Sequence, residues 1–249
     1  FPYTTLFRSP RSPKSAKQYL EAVKDVYASD AYHSLSIEGY RVSADLIERV
    51  RSGEWNPGSN EADRNHRDAL AARGYHLAFQ AVRESVEKVL KGTNPGEVAD
   101  KDHGTWYREL FAPSVTAGLL KRSDLAGYRR GQVFIRDSMH VPMKAAAVAD
   151  SMEAFFDLLS EEENSAVRVV LGHFFFVNIH PYMDGNGRIG RFLMNVMMAA
   201  GGYPWTVIPV QKRDTYMDAL EDASVRQNIT PFTQFLASLV NRNPPEPGD

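Results

Sequence analysis

The chain contains no cysteine. That excludes disulfides and thiolate metal sites, and it suits a reducing compartment such as the cytoplasm. No apolar run approaches the ~18–20 residues of a membrane-spanning helix. No charge sign dominates: 29 Lys and Arg stand against 31 Asp and Glu, so a broad surface for nucleic acid is not expected. There is no internal repeat and no low-complexity tract. The opening residues, FPYTTLFRS, lack the apolar stretch of a signal peptide and resemble the translation of a sequencing-adaptor oligonucleotide. Residues 1–9 are therefore read as a non-native segment, with natural sequence missing before residue 10. Residues 242–249 are Pro-rich and polar and read as a disordered tail.

What is present is mostly helical spacing. The 249 residues suffice for a sizeable core. Residues 14–29 carry Leu20, Val23, Val26 and Tyr27 on one side. Ser43 reads as the N-cap of a helix that stops at Gly53. Residues 61–90 read as one long helix ended by Gly92, although Gly74 inside it costs about 1 kcal/mol relative to Ala. A helix over 97–111 is expected to end before Pro113. Further helices are expected over 148–159, 164–178, 189–200 and 214–224, and a last one from Thr230 with Pro231 in its first turn. One segment differs. GQVFIRDSMHVPM, residues 131–143, places Val133 and Ile135 before a polar turn and Met139 and Val141 after it, the pattern of a short β-hairpin with Pro142 at an edge. The expected architecture is a mainly α domain with one small hairpin. Residues 10–60 form an N-terminal helical region and 61–241 the core.

The chemistry concentrates in HPYMDGNGRIGR, His180 to Arg191, which holds one His, one Asp, one Asn, two Arg and three Gly. Pro181 ends the preceding helix. Gly185, Asn186 and Gly187 then lead into the next one, whose N-terminus offers unpaired N–H groups and the positive end of the dipole. Arg188 and Arg191, three apart, share a face beside that N-terminus. Asp184 is a natural Mg²⁺ ligand near phosphates, and His180 can take a proton at neutral pH. Base, metal ligand and phosphate cradle together describe phosphoryl or nucleotidyl transfer. An N-capped helix with surface arginines accounts for any one of these residues better than for the set. A metal hydrolase built on His173, His180 and Asp184 is a further reading, weakened by two arginines that would repel the metal.

The same twelve residues resemble the signature of the Fic family, H-x-F-x-D/E-G-N-G-R-x-x-R, with Tyr182 for the usual Phe. GYRRGQVFIRDSMHVPM resembles the family's flap, and DTYMDALEDA and TPFTQFL its C-terminal helices. The resemblance implies a Fic-type helical domain and transfer of AMP from ATP to a Ser, Thr or Tyr hydroxyl of a target protein, the chain itself included. It implies that His180 deprotonates the hydroxyl and that Asp184 holds Mg²⁺. Asn186, with the backbone of Gly185 and Gly187, steadies the α-phosphate. Arg188 contacts the inner phosphates and Arg191 the γ-phosphate. A flap with Val133, Ile135, Met139 and His140 aligns the target. Relatives that phosphorylate carry Lys at the position of Gly187, so Gly favours AMP transfer. SLSIEG, with Ser34, Glu38 and Gly39, resembles the family's inhibitory motif, here preceding the core. On the residues alone it is a helix end capped by Gly39. Removal of AMP, transfer of another nucleotide, or a regulatory nucleotide-binding module are the alternatives. A homodimer stays open. Tyr216 is a candidate adenine contact, and His33, His66 and His76 read as packing or surface residues.

Overall fold

The computed structural model of the chain describes residues 6–7, 15–55 and 67–240. The expected start of the long helix at 61–66, most of the loop after Glu54 and the tail at 242–249 lie outside them, as does His66. Among the described residues are nine α-helices: α1 (Ala16–Ile37), α2 (Ala44–Ser52), α3 (Arg67–Leu90), α4 (Pro95–Thr116), α5 (Val148–Glu161), α6 (Ser165–Ile179), α7 (Asn186–Ala200), α8 (Arg213–Val225) and α9 (Thr230–Val240). The antiparallel pair α6–α7 forms the centre. Along α7 every residue from Arg188 to Ala199 is buried, so the helix is enclosed on all sides. The pair α3–α4 covers one flank, α5 packs against both α4 and α6, α8 and α9 lie against α6, and α1 lies across α3 and the start of α7.

Local signals behave as the residue types demand. The Ser43 hydroxyl accepts from Leu46 N–H at 3.1 Å and opens α2, which closes on left-handed Gly53. The Asn164 side chain accepts from Ala166 and Val167 N–H and opens α6. Gly74 has a packing role. A Cβ there would overlap the Leu110 carbonyl of α4, so the glycine lets two helix backbones touch. That contact brings Leu110 and Phe111 against Gly185 at the entrance of α7, which places α4 beneath the site.

Two expectations are corrected. The fourth helix does not stop before Pro113 but runs through it to Thr116. The ring removes one backbone donor in the final turns, while Trp106, Leu110 and Phe111, all buried, hold the helix to the core. The hairpin does not form: residues 131–143 contain a turn at Arg136–Asp137 but no strand. The N–H groups a ladder would use go to side chains instead. Met139 N–H donates to Glu221 Oε1 at 2.8 Å and His140 N–H to Ser138 Oγ at 3.0 Å, and Pro142 has no N–H to give. The two limbs are bridged by Gln132, whose amide donates to the Pro142 carbonyl at 2.9 Å.

α1 extends past the expected residue 29 to Ile37, so SLSIEG is its last turn. One acid in this helix is buried and makes no ion pair among the described residues. Asp30 is 4% exposed and accepts from the Tyr75 hydroxyl at 2.6 Å. Burial pushes its pKa up to about 6, against the hydrogen bond from Tyr75, a further contribution from Trp205 and the charge of Arg191. A raised folded-state pKa means that stability is lost as pH climbs from the unfolded value, about 3.9, through the folded one. Asp30→Asn keeps an acceptor for Tyr75 and removes the buried charge. Its melting temperature should exceed the parent's by several degrees at pH 8, consistent with a shift worth roughly 3 kcal/mol, and approach the parent's near pH 4. A pH-independent difference would show that Asp30 is not the titrating group.

Candidate active site

His180 terminates α6 in the left-handed region, φ 56° and ψ 60°. Its Nδ1 lies 3.2 Å from the Val177 carbonyl. A carbonyl only accepts, so this bond assigns the proton to Nδ1 and leaves Nε2 with a free lone pair. Burial lowers the His180 pKa; the Val177 carbonyl and Glu38 oppose that, and Arg129 adds to it. The imidazole is therefore neutral at pH 7, as a base must be.

Six residues on, α7 begins with left-handed Gly185 as its N-cap and no side chain capping it. Asp184 is largely exposed. Its Oδ1 accepts from Gly185 N–H at 2.6 Å, and its Oδ2 is 3.3 Å from Arg188 Nη2, out of line for a hydrogen bond. Asn186 is buried and spends both ends of its amide on Tyr182, accepting from its N–H and donating to its carbonyl, each at 2.9 Å. In this conformation Asn186 shapes the loop. Tyr182 stacks on Tyr107 with ring centroids 3.7 Å apart, so the aromatic at this position pins the loop to α4.

Both arginines are buried. Arg188 lies between the rings of Tyr40 and Phe111, at 5.1 and 5.2 Å. Its Nε and Nη2 have no hydrogen-bond partner among the described residues, nor does Arg191 Nη1. The remaining Arg191 donors are taken by the end of α1. Nε donates to Ser34 Oγ at 2.8 Å, and Nη2 to the Ser34 carbonyl at 3.1 Å and to Glu38 Oε1 at 2.7 Å. Burial opposes charge on both partners of the Glu38–Arg191 pair. Even so, Arg191 and Arg188 hold the Glu38 carboxyl below its usual range, and Glu38 raises the Arg191 guanidinium above its own. A Cβ on Gly187 would overlap Glu38 Oε1. The carboxylate thus rests directly on the first turn of α7. SLSIEG is indeed a helix end, with Glu38 as C-cap and Gly39 left-handed at φ 82°. It is also the element that occupies Arg191.

The sequence candidates for the flap separate. His140 Nε2 donates to the Asn178 carbonyl at 3.0 Å and fastens the segment to α6. Met139 is exposed, while Val133 and Ile135 are half-buried. Tyr216 is not placed to meet an adenine: it is 1% exposed, and its hydroxyl bonds His173 Nε2 at 2.7 Å. His173 donates from Nδ1 to the Gly190 carbonyl at 2.8 Å, so both ring nitrogens are used and the His173 metal site is excluded. Burial pushes its pKa down to about 4. His33 is a packing residue, buried, with Nδ1 accepting from Val210 N–H. The sequence reading missed Arg129, which is 4% exposed and bonds the His180 carbonyl from Nε at 2.8 Å. No local pattern marks a residue whose partners are distant backbone carbonyls.

The helical domain thus gathers a histidine, an uncapped helix N-terminus and two buried arginines at one place, an arrangement suited to holding an anion. Residues 80–198 match the model of the Fic/DOC family, and this stretch of the chain carries that family's domain. Protein adenylyltransferase Fic of Drosophila willistoni is 30% identical over 225 residues, which cover 89% of this chain and 41% of the fly protein. The Drosophila virilis protein of the same name is likewise 30% identical, covering 89% and 42%. The chain therefore spans less than half the length of these curated relatives. Among solved structures, Fic-1 from C. elegans superposes with a TM-score of 0.70 at 22% identity, covering 90% of this chain and 69% of that one. A Fic domain containing signaling protein from Bacteroides thetaiotaomicron gives 0.67 at 16% identity, covering 96% and 89%. At such identities these two establish the fold. No helix among the described residues is long and apolar enough to cross a membrane.

Proposed function

We propose that the chain is an ATP- and Mg²⁺-dependent protein adenylyltransferase restrained by its own first helix. The observation that carries this reading is a buried, cationic, partly unpartnered cradle with a neutral histidine ahead of it and a carboxylate laid across it. Buried guanidinium nitrogens without acceptors are costly unless an anion arrives, and a triphosphate satisfies several at once. In the transfer, His180 Nε2 takes the proton of the target hydroxyl as its oxygen bonds the α-phosphorus. The bond to the bridging oxygen breaks and pyrophosphate leaves. Backbone N–H groups of Asn186 and Gly187 steady the α-phosphate oxygens, and Arg188 and Arg191 hold the outer phosphates in line.

Mg²⁺ suits Asp184, a largely exposed carboxylate with one oxygen turned toward Arg188. No group of three metal-ligating side chains exists among the described residues, so the remaining ligands would be phosphate oxygens and water. The ion, when bound, neutralises charge on the leaving pyrophosphate. In this reading residues 10–60 are the restraining region and 61–241 the catalytic core.

The test uses ATP labelled at α or at γ. Protein-bound label should come from the α position alone, with the chain itself as the first target to inspect. Label from γ would mean kinase-like chemistry and overturn the proposal. Asp184→Ala should weaken ATP binding in Mg²⁺ and stop labelling, and transfer that persists without metal in the parent would remove Asp184 from its role. The position of Glu38 favours one second reading, removal of AMP with Glu38 orienting a water, because its charge reaches His180.

A further inference from the structure

Arg129 sits where three parts of the site meet. Its guanidinium makes no ion pair among the described residues, and burial alone lowers its pKa. All three nitrogens go to backbone carbonyls: Nε to His180 at 2.8 Å, Nη1 to Gly131 at 3.0 Å and Nη2 to Met143 at 2.5 Å. Its own N–H donates to the Pro181 carbonyl at 2.8 Å. The first and last residues of the 131–143 segment are thus joined to the two residues at the end of α6.

The backbone at His180 needs such a hold. A left-handed conformation is disfavoured for a residue with a Cβ, and a residue before proline is pushed toward extended backbone. His180 is both, at φ 56°. Its own N–H is fixed by the Phe176 carbonyl at 3.1 Å. The carbonyls of His180 and of Pro181 are both held by Arg129. The segment itself has no ladder, and its tip is tied separately, by Glu221 to Ser138 and Met139 and by Asn178 to His140. Its base depends on the same guanidinium.

Resting on the adenylyltransferase reading, we propose that Arg129 is a positioning residue whose three-way fork sets the backbone of His180 and couples it to both roots of the target-aligning segment. It touches neither nucleotide nor target. The planar fork is required, because an ammonium is a point donor that cannot hold three carbonyls in a fixed plane. Base and segment then share one frame, so a target strand laid on the segment arrives in register with Nε2.

The experiment compares Arg129→Lys and Arg129→Met, each in a Glu38→Gly parent. Four readouts are taken: MgATP affinity, the rate of self-labelling from α-labelled ATP, amide exchange of residues 131–143, and the His180 imidazole followed by NMR through pH. MgATP affinity should stay within about threefold of the parent, since the cradle is elsewhere. Labelling should fall about tenfold in both variants, and exchange in 131–143 should rise in both. Arg129 lowers the His180 pKa through its charge, with Glu38 and His140 the other charged or titratable neighbours acting on it. The His180 titration should therefore move up in Arg129→Met and less in Arg129→Lys. If Arg129→Met does not fold, the Lys variant carries the test.

Parent-level labelling and unchanged exchange in Arg129→Lys would overturn the proposal. So would a uniform loss in which MgATP affinity falls as far as labelling, the signature of a general stability defect. If the parent itself transfers no AMP, the adenylyltransferase reading fails, while exchange and the imidazole titration still decide what Arg129 does.

Discussion

Replacing His180 with Ala should cut AMP transfer by about 10² or more while leaving MgATP affinity nearly unchanged. The two effects separate because the groups do. His180 closes α6, whereas the donors proposed to hold the phosphates belong to α7 and its two arginines. Its Nδ1 is committed to Val177, so Nε2 is the only nitrogen able to take a proton. The pH profile gives a second check. Burial lowers the His180 pKa, and the base is lost on protonation, so the acid limb of kcat/KM should lie below the ordinary histidine value of about 6.5. Glu38 raises that pKa, hence a Glu38→Gly enzyme should show its limb at still lower pH. Undiminished labelling by the Ala variant would take His180 out of the mechanism.

Glu38→Gly should raise AMP transfer about tenfold or more. The Glu38 carboxylate accepts from Arg191 at 2.7 Å and rests on Gly187, so on the proposed function it holds the guanidinium assigned to the γ-phosphate and covers the backbone assigned to the anion. Opposite unit charges about 4 Å apart attract by roughly 4 kcal/mol at an effective dielectric near 20, before desolvation. A net bias of only about 1.4 kcal/mol shifts the competition tenfold. Adding Arg191→Ala should cancel the gain, because a freed site without that arginine still lacks its outer grip. Transfer unchanged by Glu38→Gly in a well-folded protein would reduce SLSIEG to a helix end. Loss of activity toward an AMP-modified protein would instead make removal the working direction.

The run from His180 to Arg191 is legible because its chemistry is contiguous: histidine, acid, glycines and arginines fall within three turns' length, and one helix start organises them. The helices are legible for a similar reason, since caps and apolar spacing act within a few residues. The 131–143 segment misleads because alternation reports where side chains point and says nothing of where N–H groups go, and here they go to Ser138 and Glu221. Pro113 misleads because its cost falls near a helix end that the core already holds. Arg129 and Asp30 are invisible in the sequence. Arg129 depends on a carbonyl 51 residues away and Asp30 on a hydroxyl 45 residues away, and only the docking of helices creates those neighbours. The Glu38–Arg191 contact spans 153 residues; a short pattern could suggest the pair, but the packing of α1 is what closes the distance.

The bare Cα of Gly187 has an evolutionary consequence. The Glu38 carboxylate lies where a Cβ at residue 187 would sit. A lysine there, the residue that the family resemblance associates with phosphorylation, would force the Glu38 carboxylate to shift from this place even as it attracted it electrically. On the proposed function, the transferred group and the restraint would then depend on one codon, and a lineage that changed the first through residue 187 would disturb the second in the same step.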